Sequence, residues 1–163
     1  PIKDNLIAED NLDAIVKKAI ARTTPLLSSA AIISENKKIL LVHNIRGLST
    51  NFWSFPGGIM RYANSPEETA IRETKEETGL DVEIDNTANQ PIQYIITKCC
   101  ENTGYYFVGF ACICKKIKGT LTPKEGEIDR IDYFDTNKLP EKINAFTKKA
   151  LQSILQNNKL PIN

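Results

Sequence analysis

The stretch from Ser65 to Gly79 constrains the fold of this 163-residue chain more than any other. Ser65 can cap a helix, Pro66 suits the first helical position, and Glu68 completes a Ser-x-x-Glu capping box. Gly79 supplies the residue type that most often follows a helix C-terminus in a left-handed conformation. The sequence therefore predicts a sharply delimited helix in the middle of the chain.

This central helix carries almost no apolar stripe. Between Pro66 and Thr78 the strictly apolar residues are Ala70 and Ile71. A surface helix usually buries a broad apolar face, so packing alone does not explain this composition. The charged residues of the segment are Glu67, Glu68, Arg72, Glu73, Lys75, Glu76 and Glu77.

Three of these acids share one side of the helix. At about 100° of rotation per residue, Glu73, Glu76 and Glu77 fall within a wedge roughly 100° wide. Carboxylates at these spacings destabilise a helix by about a few tenths of a kcal/mol per pair. A divalent cation would remove the repulsion, and oxygen-only ligands favour Mg²⁺ or Mn²⁺ over Zn²⁺. From spacing alone, a solvated acidic face explains the same residues equally well.

Short apolar runs on both sides of the helix predict strands, because they are rich in β-branched and aromatic residues. A stripe at helical spacing lies near each end of the chain. We therefore expect an α/β (α+β) fold with a mixed β-sheet sandwiched between helices. The expected strands are 29–34, 38–43, 82–84, 92–99, 105–114 and 128–134, the expected terminal helices lie near 12–20 and 143–155, and 45–52 is expected to be a loop.

Length and composition fit one soluble globular domain, with 41% hydrophobic and 25% charged residues. We expect residues 1–28 to form an N-terminal helical extension and residues 29–163 to form the main domain. A formal charge of +1 provides no general reason to bind nucleic acid or an anionic membrane. The chain has neither an apolar run of the ~20 residues of a membrane-spanning helix nor the apolar segment of a secretory signal, which predicts a cytoplasmic location.

The cysteines and the histidine are expected to be structural. Cys99, Cys100, Cys112 and Cys114 match neither a CxxC redox pair nor a paired-CxxC zinc site. Free cysteine is among the most buried residue types, so reduced core thiols on strands are expected. His43, the single histidine, ends an apolar run and is expected to have a structural role.

The stretch from Gly58 to Leu80 resembles the Nudix box, Gx5Ex7REUxEExGU, in which U is a bulky apolar residue. The match covers 23 residues. It includes Gly58 and the segment Arg72–Leu80, whose three glutamates have the spacing of the box. The resemblance continues upstream through residues 52–58 and downstream to Glu127, which precedes the last expected strand. It implies a Nudix-like arrangement of sheet and helices, to which the helix predicted near residues 12–20 would be an extra N-terminal helix.

Two box positions depart from the family pattern. Asn64 stands where the family has Glu, and it can form hydrogen bonds but no ion pair with a neighbouring Arg. We expect weakened loop positioning rather than lost chemistry. Thr74 stands at an apolar position, which its partly apolar side chain is expected to fill at modest cost.

The resemblance implies Mg²⁺-dependent hydrolysis of the pyrophosphate bond in a nucleoside diphosphate linked to another moiety, with Mn²⁺ as a substitute. It implies Glu73, Glu76 and Glu77 as metal ligands. Glu76, Glu77 and Glu127 are the candidate general bases, and Glu127 could instead be an additional ligand or an exposed loop charge. Bound metal would invert the field that repels phosphates and would lower the pKa of its water.

Gly57, Gly58, Arg72, Arg46 and Trp53 are the expected residues around the substrate. The glycines are expected to adopt conformations that other residues disfavour and to approach metal or phosphate closely, and a tight turn explains them nearly as well. Arg72 is expected to orient the carboxylates. Arg46 could reach phosphate and Trp53 could stack on a base, although solvation and core packing are the commoner roles. Arg61 could also reach phosphate. The other aromatic residues that could stack on a base are Phe52, Tyr105 and Tyr106.

Two other functions stay open. One is a catalytically weak Nudix-fold protein that binds or senses a nucleotide, which Asn64 alone supports. The other is an acidic-helix interaction module unrelated to phosphates. The sequence does not identify the substrate moiety, because neither subgroup marker of the family is present. Pro91 lies nearer the box than the Pro of the ADP-ribose subgroup. Thr97 and Lys98 stand where the dinucleoside polyphosphate subgroup has a Tyr. A small nucleotide is the expected partner, and the first helix could serve a homodimer interface.

Overall fold

The computed structural model describes residues 14, 17, 18, 24–98 and 106–156. Within these residues, eight strands form a mixed sheet and two helices pack against it, which confirms the expected fold class. The elements are β1 (Leu26–Glu35), β2 (Lys38–Asn44), β3 (Trp53–Ser54), β4 (Gly57–Ile59), α1 (Pro66–Thr78), β5 (Asp81–Ile84), β6 (Ile92–Lys98), β7 (Tyr106–Lys118), β8 (Ile128–Asp135) and α2 (Ala145–Gln156).

Strand β1 is the centre of the sheet. It pairs in parallel with β7, from Leu26 opposite Phe107 to Ile33 opposite Cys114. It pairs antiparallel with β2 and β4, while β3 and β8 join β2, and β5 and β6 join β7. A strand covered on both faces is expected to be apolar throughout, and residues 30–33 are all buried.

The alternating side chains of β1 support one helix on each face of the sheet. Ala30 and Ile32 belong to the core cluster that includes the apolar stripe of α2. Ala31 and Ile33 point the other way, into the cluster that includes Ala70 of α1. This two-residue periodicity makes β1 the common support of both helices, which confirms the predicted sandwich.

The ends of α1 lie where the sequence predicts them. Ser65 Oγ accepts the Glu68 N–H at 3.1 Å, and the Ser65 N–H donates to Glu68 Oε2 at 2.8 Å. Gly79 follows the helix with φ of 77°, in the left-handed region. Because each end is closed by residues within four positions, local sequence suffices to set the limits of this helix.

The buried face of α1 consists largely of threonines. Thr69, Thr74 and Thr78 are fully buried beside Ala70. The Thr74 hydroxyl donates to the Ala70 carbonyl at 2.7 Å and the Thr78 hydroxyl to the Thr74 carbonyl at 2.6 Å, which leaves their methyl groups to pack. The helix therefore does have a packing face, although a count of strictly apolar residues missed it. Thr74 fills its box position as expected.

Tertiary pairing sets the strand limits that the sequence did not predict. Strand β4 contains Gly57 and Gly58, which are poor strand formers, but it is held extended by pairing with residues 28–30 of β1. Strand β7 runs beyond its predicted end to Lys118 because β5 pairs with it. Lys115 Nζ lies 2.8 Å from Glu83 Oε1 across that pair.

The remaining expectations divide by whether the structure describes the residues concerned. The predicted first helix lies almost wholly outside the described residues, so the helix and the boundary at residue 28 stay predictions. Cys99 and Cys100 also lie outside them. Cys112 and Cys114 are buried and form no disulfide, as expected. In the described part of the chain, no helix combines the length and apolar character needed to span a bilayer.

Candidate active site

A cleft of about 400 Å³ lies beside β1, β4 and α1. Three acidic residues line it, Glu73 and Glu77 from α1 and Glu127 from the loop before β8. Gly57 and Gly58 of β4 form the adjoining wall. The fold thus places most of the predicted site residues around one cavity.

Glu77 is the most buried acid of the cleft, with 7% of the residue exposed. Its Oε2 accepts the Gly57 N–H at 2.9 Å. Burial raises the pKa of Glu77 to about 8, and the charges of Glu73 and Glu127 add to this rise, while the Gly57 hydrogen bond and Lys124 oppose it. The ionised form of Glu77 is therefore poorly compensated, which is a setting that favours a bound cation.

The two glycines of β4 are needed for space. A Cβ at Gly58 would lie 2.6 Å from Glu73 Oε1, and a Cβ at Gly57 would lie 2.5 Å from both Ala30 Cβ and the Ser29 carbonyl oxygen. Neither glycine has a left-handed backbone. The expectation that these glycines adopt unusual conformations is therefore wrong, and the close approach of β4 to β1 and to Glu73 explains them.

Glu76 faces a group of cations. Its Oε1 lies 3.2 Å from Arg72 Nη1 and 3.5 Å from Arg61 Nη2, and its Oε2 lies 3.7 Å from Lys124 Nζ. Burial opposes ionisation of Glu76, but the hydrogen bond and charge of Arg72, with Arg61 and Lys124, outweigh it and lower the pKa of Glu76. Glu76 is thus ionised and lies outside the lining of the cleft.

Each of the three helix carboxylates has a partner within the protein, and Glu73 and Glu76 share Arg72. Arg72 Nη1 lies 2.7 Å from Glu73 Oε1, Glu76 has its cation group, and Glu77 has the Gly57 N–H. Among the described residues, no three His, Cys, Asp or Glu side chains are grouped closely enough to hold an ion as they stand. The predicted acidic wedge exists on the helix, and each of its carboxylates already has an ion-pair or hydrogen-bond partner within the protein.

Lys124 is a site residue that the sequence analysis missed. Its Nζ lies 3.0 Å from Glu127 Oε2 and 3.7 Å from Glu76 Oε2. The Glu127 hydrogen bond raises the pKa of Lys124 more than burial lowers it. The Lys-x-x-Glu spacing before Glu127 was the available signal, whereas the pairing with Glu76 depends on the fold.

The other predicted residues have different positions. Arg46 lines the cleft, whereas Arg61 pairs with Glu76. Trp53 lies in a second depression, where its ring stacks edge-on against Phe134 at 4.8 Å and Arg130 lies 5.2 Å above it. Trp53 and the acidic residues thus line different cavities.

Several smaller expectations concern residues away from the acids. His43 Nδ1 lies 2.6 Å from Asp129 Oδ1, on the side of Trp53, which fits a structural role. Phe52 is not among the residues lining either cavity. Tyr105 and the side chain of Tyr106 lie outside the described residues.

Phe107 and Phe146 also line the cleft and were missed by the sequence analysis. Phe146 lies against the backbone of β7, because a Cβ at Gly109 would be 2.5 Å from its Cε2. Phe146 belongs to the apolar stripe of α2, so the sequence could not separate it from the core residues. With Phe55, which also lines it, the cleft combines carboxylates with three aromatic side chains.

Comparisons with known proteins agree with this arrangement. A family model described as NUDIX domain matches residues 25–154. Nudix hydrolase 2 of Arabidopsis thaliana is 28% identical over 111 residues, and the match covers 64% of this chain and 36% of that protein. The chain thus spans about a third of the length of that relative.

Two further matches extend the comparison. An ADP-ribose pyrophosphatase of Methanocaldococcus jannaschii is 25% identical over 117 residues, which cover 72% of this chain and 66% of that protein. The crystal structure of a MutT NUDIX hydrolase from Burkholderia pseudomallei superposes with a TM-score of 0.67, covering 80% of this chain and 98% of the other. At 20% sequence identity, that superposition shows a shared fold.

Proposed function

The chain belongs to the Nudix family, as the resemblance over residues 58–80 indicated, and we propose that it hydrolyses the pyrophosphate bond of a nucleoside diphosphate linked to another moiety. The observation that carries the proposal is the convergence of Glu73, Glu77 and Glu127 on one cleft. Two of its relatives, a Nudix hydrolase and an ADP-ribose pyrophosphatase, support the same class of reaction.

The residues present fit a divalent cation. The donor set consists of carboxylate oxygens, and burial together with neighbouring acids leaves Glu77 poorly compensated when ionised. Glu73, Glu76 and Glu77 would hold Mg²⁺ or Mn²⁺, with Glu76 giving up part of its contact with cationic side chains. Such a cation supplies charge compensation for carboxylates and phosphates and lowers the pKa of water that it binds.

Residues of the chain can accept the proton of the attacking water and can orient the carboxylates. A water oxygen bonds to one phosphorus, the bridging P–O bond breaks, and its electron pair leaves with the other phosphate. We assign acceptance of the water proton to Glu127, which lines the cleft from the loop before β8, whereas the Glu77 carboxylate already accepts a backbone hydrogen bond from Gly57 of β4. Arg72 orients Glu73 and Glu76 through ion pairs of 2.7 and 3.2 Å.

The composition of the cleft supports a nucleoside on one side of the pyrophosphate. Phe107 and Phe146 offer aromatic surface against which a base can pack. Arg46, which also lines the cleft, provides a positive charge for a phosphate. A sugar or other polar moiety alone would leave the aromatic surface without a matching group.

Two glutamine variants test the proposal. Glu76→Gln and Glu77→Gln keep nearly the same volume and remove a ligand charge, so each should lower kcat by on the order of 10²-fold, or about 2.7 kcal/mol of barrier. Glu83→Gln, on the exposed edge of β5, is the matched control. The assay measures phosphate-containing products from a panel of nucleoside triphosphates, nucleotide sugars, ADP-ribose and dinucleoside polyphosphates with Mg²⁺ or Mn²⁺.

Metal removal and a third variant complete the test. Excess EDTA should stop turnover. Asn64→Glu restores the family residue outside the acidic wedge, and it should keep activity within roughly tenfold or raise it. Full metal-dependent turnover in both Glu76→Gln and Glu77→Gln would place the hydrolytic site elsewhere.

One observation favours a second candidate function, a Nudix-fold protein that binds or senses a nucleotide with little turnover. The Nε and Nη2 atoms of Arg72 are buried without a hydrogen-bond partner, in a chain with Asn64 at the box position of Glu. A parent protein inactive on every substrate, but switched on by Asn64→Glu, would favour this candidate.

A cytoplasmic location and self-association through the first helix stay predictions.

A further inference from the structure

Lys124 lies between the two elements that carry the acidic residues. Its Nζ is 3.0 Å from Glu127 Oε2 on the loop and 3.7 Å from Glu76 Oε2 on α1. Its main chain is held separately, since the Lys124 N–H donates to the Glu77 carbonyl at 3.2 Å and its carbonyl accepts the Ile128 N–H at 2.9 Å. The backbone therefore holds the start of the Lys124 side chain beside α1, and the ion pairs place its ammonium between Glu76 and Glu127.

The other cations near Glu76 have different geometry. Arg72 pairs with Glu73 and Glu76, both on its own helix. Arg61 reaches Glu76 at 3.5 Å from the loop before the helix, with 63% of its side chain exposed. Among the ion pairs of the described residues, Lys124 is the cation that connects the helix acids to the loop acid.

We propose that Lys124 is a positioning residue that competes with a divalent cation for Glu76 and holds Glu127 in place for the reaction, an inference that rests on the proposed function. A fixed positive charge beside the carboxylates repels a cation and weakens its binding. Once a cation compensates Glu76, the shorter contact keeps the Glu127 carboxylate at the cleft. Lys124 thus weakens metal binding while it supports turnover.

The first experiment measures metal binding without substrate. Lys124→Met keeps the aliphatic stem and removes the charge, and Mn²⁺ affinity is measured by electron paramagnetic resonance titration. We expect Lys124→Met to bind Mn²⁺ about tenfold more tightly, as a unit charge ~6 Å from a divalent ion in a water-like dielectric implies. Lys124→Arg keeps the charge and should stay within about twofold of the parent protein.

Lys75→Met is the matched control. Lys75 lies on α1, the helix that carries the three glutamates, but it pairs with Asp81 at 3.1 Å instead of with one of them. The competing role is wrong if Lys124→Met binds Mn²⁺ no more tightly than the parent protein, or if Lys75→Met tightens binding equally. Thermal unfolding checks that each variant is folded. Lys124→Gln replaces Lys124→Met should the latter fail to fold.

The second experiment separates positioning from substrate contact. At saturating Mn²⁺, Lys124→Met should lower kcat by about tenfold with KM within about twofold, and Lys124→Arg should recover most of kcat. A raised KM at constant kcat would indicate direct contact with substrate and overturn the positioning role, as would unchanged kinetics. A parent protein that binds Mn²⁺ but hydrolyses nothing would contradict the proposed function and, with it, the positioning role. The Mn²⁺ titration needs no substrate, so it would still decide the competing role.

Discussion

Replacing Glu77 with glutamine should remove a large pH dependence from the stability of the protein in EDTA. The pKa of Glu77 is about 8 in the folded protein against an ordinary value of 4.5. Below pH 4.5 both folded and unfolded chains hold the proton. As pH rises toward 8, the unfolded chain releases the proton while the folded chain keeps it, so the free energy of unfolding falls. Above pH 8 both the folded and the unfolded chain have released the proton, so the free energy of unfolding falls no further.

The size of the effect follows from the two pKa values. They differ by about 3.5, and at 1.36 kcal/mol per pH unit this sets an upper limit of about 5 kcal/mol. Between pH 4.5 and pH 7 the same relation gives a loss on the order of 3 kcal/mol in the parent protein. Glu77→Gln stays neutral at every pH, and its side-chain oxygen can still accept the Gly57 N–H.

Urea unfolding at several pH values measures this difference. Trp53, the single tryptophan, packs against Phe134 and reports unfolding by fluorescence. Glu83→Gln, with its exposed partner Lys115, controls for removing one acid. Added Mg²⁺ at about 100 times its Kd should stabilise the parent protein by about 2.7 kcal/mol and Glu77→Gln much less. Parallel stability curves for the parent protein and Glu77→Gln from pH 4.5 to 9 would refute the reasoning.

Two other predictions concern the glycines and a buried thiol. Gly57→Ala should destabilise the fold by about 1–3 kcal/mol in urea unfolding, because its Cβ would meet the rigid Ser29 carbonyl. Gly58→Ala should keep the thermal midpoint within a few degrees but displace Glu73 and lower activity by about tenfold or more; an equal loss of stability in both would contradict this contrast. Cys112, whose pKa is raised to about 11 by burial, should react with a thiol reagent at pH 8 only as fast as the protein opens. Rapid labelling of the native protein would contradict the buried assignment.

Much of the fold could be predicted because its signals are local or periodic. Ser65, Glu68 and Gly79 close α1 through hydrogen bonds that span at most four residues. Most strands were recognised from their apolar runs, as in β1 and β2, where the central residues are buried. The Gly57–Ile59 strand was missed, because its extended backbone comes from pairing with β1 rather than from its own residues.

The chemistry of the site was only partly predictable. The spacing of Glu73, Glu76 and Glu77 identified the acidic helix, and the motif around these residues identified the family. The contact between Lys124 and Glu76 could not be predicted, because it depends on the packing of the loop before β8 against α1. Trp53 belongs to a different cavity for a similar reason, since pairing of β3 with β2 decides where its ring lies.

The sequence by itself determined the limits of α1, the positions of the main strands along the chain and the family, because these depend on neighbouring residues and fixed spacing. Only the tertiary structure decided that Glu77 would be buried against Gly57 and that Arg61 and Lys124 would lie beside Glu76. The physical reason is that the pKa and the pairing of a carboxylate depend on solvent exclusion and on charges within a few ångströms. Those neighbours come from distant parts of the chain, and strand pairing brings them together.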